Sequence, residues 1–370
     1  MRMLKIQLSS SERQVMNVVR ANGPIPRSKI AELTSLTQQS VHRLVDGLVS
    51  KQFLQPREPI VSGRGKPSPR IALDEEALTS IGVSIRTGEV EVCACTIAGT
   101  LIATETLSVN PNDRSKVIKS VASTLHRWRT FGTMSGRPMV GIGVAVQGYR
   151  VNRFDQFTTP LPIECWSNVS VGEMFEKGTG LPAFTENDAN CAALAELYCG
   201  IGRHFCSFVY LAINFGFGGG IIYDNELILG GFGNAGELSD IFLTDEMPNR
   251  PSLEGLIRRL REGGVNVETV SDIRRKFDPT WTAIGDWIDE ASPLLNLTVR
   301  AIRAIVDPKA IVFGGEAPNA MREELIKNCI RNPANRYGEV PPFPALIVSE
   351  IDGDAATLGA ATLPLRGLLY

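Results

Sequence analysis

The chain has 370 residues, 43% hydrophobic and 21% charged, with a formal net charge of −2. That is an ordinary composition for a soluble globular protein, long enough for two or three domains that each bury a core. No apolar run reaches the length of a membrane span, the start MRMLKIQLSSSERQ lacks the apolar centre of a secretory signal, and the seven cysteines follow no disulfide or metal-ligand spacing, so a cytoplasmic protein is expected.

Charge is unevenly spread. Residues 1–74 hold 12 Lys and Arg against 5 Asp and Glu, and the rest of the chain is net acidic. A basic head on an acidic body suits a head that meets a polyanion, although chance surface charge gives the same balance. Ser9 to Glu12 has capping-box spacing, followed by an apolar stripe of Val15, Met16, Val18 and Val19 and a stop at Asn22-Gly23-Pro24. A second short helix follows Pro26 and turns Ile30, Ala31 and Leu33 inward. After a tight turn at Ser35-Leu36-Thr37, Thr37 caps a third helix from Gln38 to Ser50.

That third helix buries Val41, Leu44, Val45, Leu48 and Val49 on one face. Its other face presents Gln38, Gln39, Ser40, His42 and Arg43 near its N-terminal end, side chains that bond base edges and phosphates. In a helix-turn-helix this is the end offered to the major groove. Two short strands then flank a tip holding Gly63-Arg64-Gly65-Lys66, which reads as a β-wing with Arg64 suited to a narrow minor groove. Lys66, with Arg57 and Arg70, is placed for phosphates. The alternative is a small helical interaction module with a basic loop. Pro67–Pro69 is the best linker candidate.

From about Thr79 the pattern changes. Ile81–Ile85, Val90–Ile97 and Leu101–Val109 read as strands, with Cys93 and Cys95 on one face as small hydrophobes. A helix over Ser115–Phe131 and a buried strand over Met139–Val146 follow. The strand–turn–strand theme returns at Phe208–Asn214 and Ile221–Tyr223 around a glycine cluster. Helices are expected at Asp188–Cys199, Pro251–Glu262, Trp281–Ile305 and Ala320–Ile330, with a strand at Ala310–Phe313. This predicts an α/β body of two sheet-centred lobes.

Five ordered motifs give that body a likeness. They are Gly141-Ile142-Gly143-Val144, Gly180-Leu181-Pro182 with Glu186-Asn187-Asp188-Ala189-Asn190, Gly216-Phe217-Gly218-Gly219-Gly220, Gly236-Glu237-Leu238, and Ile311-Val312-Phe313-Gly314-Gly315. Residues 139–361 resemble the ROK family of repressors, open reading frames and kinases, and the head with its Gly-Arg-Gly wing resembles its repressor branch. The resemblance implies an actin-like, hexokinase-like pair of RNase H-like lobes behind a winged helix-turn-helix. The expected division is a DNA-binding head over 1–74, a first lobe over 75–186 completed by a C-terminal helix at about 355–370, and a second lobe over 187–354 for sugar binding and dimerisation.

The resemblance also assigns chemistry. Asp188 matches the base that takes a proton from the sugar hydroxyl in ROK kinases; read alone, it is as well a helix N-cap. Asn187 stands beside it at a strand-to-helix junction, and Glu237 matches a carboxylate that binds sugar hydroxyls. Where the family has a His for sugar and zinc this chain has Asp240, and the segment that follows, IFLTDEMPNRPS, holds no Cys, so no zinc is expected. Glu254 matches a further sugar-binding Glu. At the nucleotide end, Ser84 replaces the metal-binding Asp of the family's Asp-x-Gly-x-Thr, Arg86 replaces a glycine, and Phe215 stands where a Thr is usual. ATP is therefore not expected to be used, and the glycines of 216–220 are explained as tight-turn residues.

The sequence thus points to a sugar-responsive transcriptional repressor, not an enzyme, with Asp188 a vestigial base. Its expected partners are operator DNA and a sugar or sugar phosphate held by Asn187, Asp188, Glu237, Asp240 and Glu254. No membrane partner is expected, and the assembly should be a homodimer or a dimer of dimers. Two alternatives stand: an ATP-dependent sugar kinase with a regulatory DNA-binding head, and a repressor whose body docks a protein and binds no sugar.

Overall fold

A computed structural model of the chain describes residues 7–58, 69–132, 134–151, 155–331, 334, 336–351 and 353–369. The head begins with helix α1 (Ser10–Asn22), closed by a reciprocal cap: the Glu12 N–H donates to the Ser9 hydroxyl and the Ser9 N–H to the Glu12 carboxylate. Strand β1 (Ile25–Pro26) leads into α2 (Arg27–Leu33) and, after a turn, α3 (Gln38–Ser50), which Thr37 caps by accepting from the Ser40 N–H. Strands β2 (Leu54–Arg57) and β3 (Arg70–Leu73) pair antiparallel, and β3 also pairs with β1. Three helices are backed by this small sheet, and the wing tip expected from the sequence falls between β2 and β3. Residues 59–68 lie outside the described residues, so Arg64, Lys66 and most of the Pro67–Pro69 stretch are not placed.

The first sheet holds β4 (Thr79–Arg86), β5 (Glu89–Thr96), β6 (Leu101–Thr106), β7 (Met139–Val146) and β10 (Ala183–Asn187). Helix α4 (Arg114–Phe131), a ribbon of β8 (Tyr149–Arg150) and β9 (Phe157–Thr158), and helix α5 (Val171–Thr179) lie between them in the chain. Its order is β6–β5–β4–β7–β10; the first three strands are antiparallel and the last two run parallel to β4. After α6 (Asp188–Cys199) the scheme repeats with β11 (Phe208–Ile213), β12 (Phe217–Tyr223) and β13 (Glu226–Leu227). Helices α7 (Leu253–Glu262), α8 (Val270–Lys276) and α9 (Thr282–Ile305), strand β14 (Ala310–Gly314), α10 (Asn319–Lys327) and β15 (Ala345–Val348) complete it. The second sheet, β13–β12–β11–β14–β15, has the same order and strand directions as the first.

The last helix, α11 (Ala355–Leu369), returns to the first sheet and packs across β4 and β7, while α6 packs on β11 and β12. The two helices also pack on each other. Glycines allow this close approach: a Cβ on Gly143 would lie 1.8 Å from the Ala360 carbonyl oxygen, and one on Gly359 would lie 1.6 Å from that of Cys191.

The head does not hang on a spacer. Its core residues Val15, Met16, Val19, Val41, Val45 and Leu48 belong to one buried cluster with Cys93, Cys95, Val140, Ala361 and Leu365 of the body. Both cysteines are buried and unbridged. Among the described residues no helix is long and apolar enough to cross a membrane.

Sequence and structure differ in places. The strand expected to run to Val109 ends at Thr106, and helices α5 and α8, of 9 and 7 residues, were not among the elements expected from the sequence. The glycine cluster is mostly not a turn. Gly218, Gly219 and Gly220 lie inside β12, paired with Ala212, Leu211 and Tyr210 of β11. They are small because α6 and Leu238 press on the strand: a Cβ on Gly220 would lie 2.6 Å from the Ala193 Cβ, and one on Gly219 would lie 2.7 Å from Leu238.

Candidate functional site

On the head, Gln38, Gln39, His42 and Arg43 are exposed at the start of α3. Ser40 is half-buried and engaged locally, its hydroxyl accepting from the Thr37 hydroxyl at 3.0 Å. His42 is braced: Arg27 lies 3.0 Å from its Nδ1 and donates at 2.6 Å to Asp46. A guanidinium only donates, so Nδ1 accepts and Nε2–H points outward as a donor. Arg27 was missed in the sequence because it lies 15 residues from His42 and only the helix crossing joins them.

In the body, strand β10 ends at Asn187 and α6 starts at once. Asn187, not Asp188, is the cap: its side-chain oxygen accepts from the Ala189 and Asn190 N–H groups. Its amide nitrogen donates to the Gly148 carbonyl at 2.7 Å and to Glu237 at 3.3 Å. With the cap supplied by its neighbour, Asp188 is left to face the cleft between the lobes, where Asn214 donates to it at 3.3 Å.

Asn187, Asp188 and Glu237 line one pocket of about 140 Å³, together with Gln147, Tyr149 and Asn214. That is the space of roughly five waters at about 30 Å³ each, suited to a small polyol. Burial pushes the Asp188 carboxyl up to about 7, and Asp354 and Glu316 add to the rise. Burial likewise pushes Glu237 up to about 7, helped by Asp188 and Asp240. Two desolvated carboxylates, with no Arg, Lys or His among the described lining residues, are acceptors waiting for hydroxyl donors.

The structure does not bring Asp240 and Glu254 into this pocket. Asp240 is exposed on a single turn of helix at Leu238–Ile241 and is not among the lining residues, although its charge reaches Glu237. Glu254 is exposed on the first turn of α7, paired with Arg250 at 2.5 Å, and lines a neighbouring cleft of about 990 Å³. Sequence reading missed Gln147 and Tyr149. Gln147 is fixed by accepting from the Thr87 N–H and hydroxyl, a partnership across 60 residues without a local signal.

The nucleotide end carries a buried ionic cluster beside a pocket of about 270 Å³ that Arg86, Arg274, Glu316 and Asp354 help to line. Arg86 is buried and ion-paired to Glu89 at 2.5 Å and Asp354 at 2.6 Å, with Glu316 at 3.4 Å and Glu91 at 3.7 Å. Arg274 of α8 reaches Glu89 at 2.5 Å from the other lobe. Burial alone would raise Asp354, but the Arg86 guanidinium holds it below its ordinary value. The acids outnumber the two arginines, so the cluster would repel a triphosphate. Ser84 is buried in β4 and carries no charge to hold a metal. Zinc does not fit either. Asp240 points to solvent, no thiolate or imidazole follows before Ser252, and among the described residues no three His, Cys, Asp or Glu side chains converge on a metal position.

Comparison with known proteins agrees with this layout. A family model described as ROK family matches residues 80–366. The xylose repressor of Caldicellulosiruptor bescii is 22% identical over 382 residues, spanning 96% of this chain and 95% of its own. Among solved structures, a ROK family transcriptional regulator described as a homologue of the E. coli MLC protein matches with a TM-score of 0.70 at 19% identity over 97% of each chain. A ROK family glucokinase from Streptomyces griseus, in complex with glucose and AMPPNP, matches with a TM-score of 0.61 at 22% identity, over 77% of this chain and 98% of its own. The likenesses to solved structures establish the two-lobed fold, and the one to the regulator extends it through the head.

Proposed function

The chain belongs to the ROK family, and on that premise we propose that it is a sugar-responsive DNA-binding repressor whose body senses a sugar without phosphorylating it. One observation carries the reading: a winged-helix head shares its core with a kinase-like body whose phosphate end is occupied by Arg86 and its acids. The full-length similarity to a xylose repressor supports it. The head is residues 1–74, the first lobe 75–186 with the C-terminal helix, and the second lobe 187–354. Gln38, Gln39, His42 and Arg43 read an operator, with Ser40 holding the helix start and Arg64 and Lys66 on the wing. The sugar lies against Asn187, Asp188 and Glu237. In a cytoplasmic homodimer, sugar-dependent movement of the lobes changes the spacing of the two reading helices, with a coupling of about 1–3 kcal/mol. Neither zinc nor ATP takes part.

A footprint on the DNA upstream of the protein's own gene, repeated with a panel of sugars, tests this. Protection that one sugar alters is the expected result; no protected DNA, or protection indifferent to every sugar, sinks it. The kinase alternative draws on Asp188, left uncapped and facing the cleft. A coupled assay that shows ATP consumption with any hexose or amino sugar would establish it instead.

A further inference from the structure

Adjacent residues of β10 line the sugar pocket and a cleft at the head. Asn187 lines the pocket, while Thr185 and Glu186, just before it, line a second cleft of about 1310 Å³. This second cleft lies between head and body. Helix α1 forms one bank through Gln14, Asn17 and Val18; Arg150, Glu186 and Tyr198 form part of the other. The head reaches across its edge, where the Arg20 guanidinium lies over the Tyr198 ring at 4.2 Å. Tyr198 is near the far end of α6, the helix that Asn187 caps.

Glu186 and Arg150 pair at this end of β10. One Glu186 oxygen accepts from the Asn187 N–H at 2.8 Å, from the Asn190 side chain at 3.2 Å and from Arg150 at 2.8 Å. Both partners of the ion pair are nearly inaccessible, at 5% and 7% side-chain exposure. Arg150 also donates to the Thr185 carbonyl. Its backbone is gripped by Asn234, whose side-chain oxygen accepts from the Arg150 N–H and whose amide donates to the Arg150 carbonyl. Asn234 stands three residues before Glu237, the other carboxylate of the pocket. The pair therefore touches Asn187 of the pocket, is held by the Asn234 segment that leads into Glu237, and faces the head cleft. A ligand that shifts Asn187 or the segment before Glu237 acts on this pair, and a buried, paired charge cannot be left unmatched at small cost.

We propose that Arg150 and Glu186 are positioning residues that carry occupancy of the sugar pocket into the cleft beneath α1, and so to the DNA-reading head. This rests on the sensor reading given above. Coupling should reside in the pair, while sugar affinity resides in Asn187, Asp188 and Glu237.

The test uses the full chain, the operator fragment found by footprinting and the sugar active on it. DNA affinity is measured by fluorescence anisotropy with and without sugar, and sugar affinity by calorimetry. For the wild type the ratio of the two DNA affinities should be about 5- to 150-fold. In Glu186→Gln, which keeps shape and an acceptor but drops the charge, the ratio should fall to within about twofold of one while sugar affinity stays within about threefold of wild type. Arg150→Lys, which keeps the charge, should restore part of the ratio and guards against a folding defect in the first variant. Hydrogen exchange on the wild type gives a readout without mutation: sugar should change protection over Gln14–Asn22. Full coupling in Glu186→Gln overturns the proposal. So does loss of sugar binding in both variants, which would make the pair part of the pocket, and so does α1 exchange unmoved by a sugar that changes DNA affinity. A wild type whose DNA affinity responds to no sugar sinks the sensor reading itself, and the proposal with it.

Discussion

The two ends of the interlobe cleft hold similar residues to opposite effect. At the Arg86 end, Glu89, Glu316 and Asp354 each lie against an arginine, and lobe is tied to lobe. At the other end, Asp188 is buried and Glu237 half-buried, with amides for neighbours and no cation among the described lining residues, and both are pushed up to about 7. Acids matched by fixed cations are structure. Acids left unmatched inside a polar pocket cost stability in the empty protein and retain their bonding capacity for a ligand. The contrast separates the end of the cleft that is framework from the end where a ligand is proposed to bind.

The largest effect should come from Arg86→Met. It strands Asp354 in the interior and leaves Glu316 only Arg274, 3.9 Å away, at a cost of about 3–5 kcal/mol, readable by urea denaturation. Calorimetry with Mg-ATP should stay silent in the variant, because the carboxylates remain; nucleotide binding would mean that the arginine alone had closed the site. Next is Gly220→Val. Its side chain would press on Ala193 and the Ala189 carbonyl and should cost about 1–3 kcal/mol by overpacking. An unchanged melting temperature would show that packing is not what keeps this glycine.

At the sugar end the sign reverses. The fold moves Asp188 from 3.8 to about 7. A raised carboxyl gives its full stabilisation below the unfolded value and loses it as pH rises through the folded value. Wild type should therefore lose stability between about pH 4 and pH 7 through this residue. Asp188→Asn should remove that part of the loss and be the more stable protein at about pH 8, while its sugar response disappears. A variant less stable than wild type at that pH would break the contrast between the two ends. The smallest effect is expected from Arg274→Ala. This arginine is 36% exposed on its side chain, so solvent screens its pair with Glu89 and the loss should stay below about 1 kcal/mol.

Much of the molecule was legible without coordinates, for a local reason. Helix α3 and strand β7 start and stop where the sequence places them, because Thr37 caps the one and an unbroken apolar run makes the other. The Asn187-Asp188 junction was equally legible, since a strand feeding a helix is written in adjacent residues. What the letters could not give was which of the two caps and which faces the cleft. Asn187 also bonds Gly148 and Glu237, 39 and 50 residues away, and that geometry settles the division of labour.

By itself the sequence determined most of the elements through residue type, period and order along the chain, and through its resemblance to the ROK family it implied the winged head, the two-lobed body and the loss of the metal-binding acid at Ser84. Tertiary structure alone decided that Arg86 has four carboxylates around it, that Asp240 and Glu254 do not line the pocket, that Gly218–Gly220 are strand rather than turn, and that the head shares a core with the last helix. Each of these depends on side chains far apart in the chain meeting in a space too small for alternatives, and no local pattern encodes such a meeting.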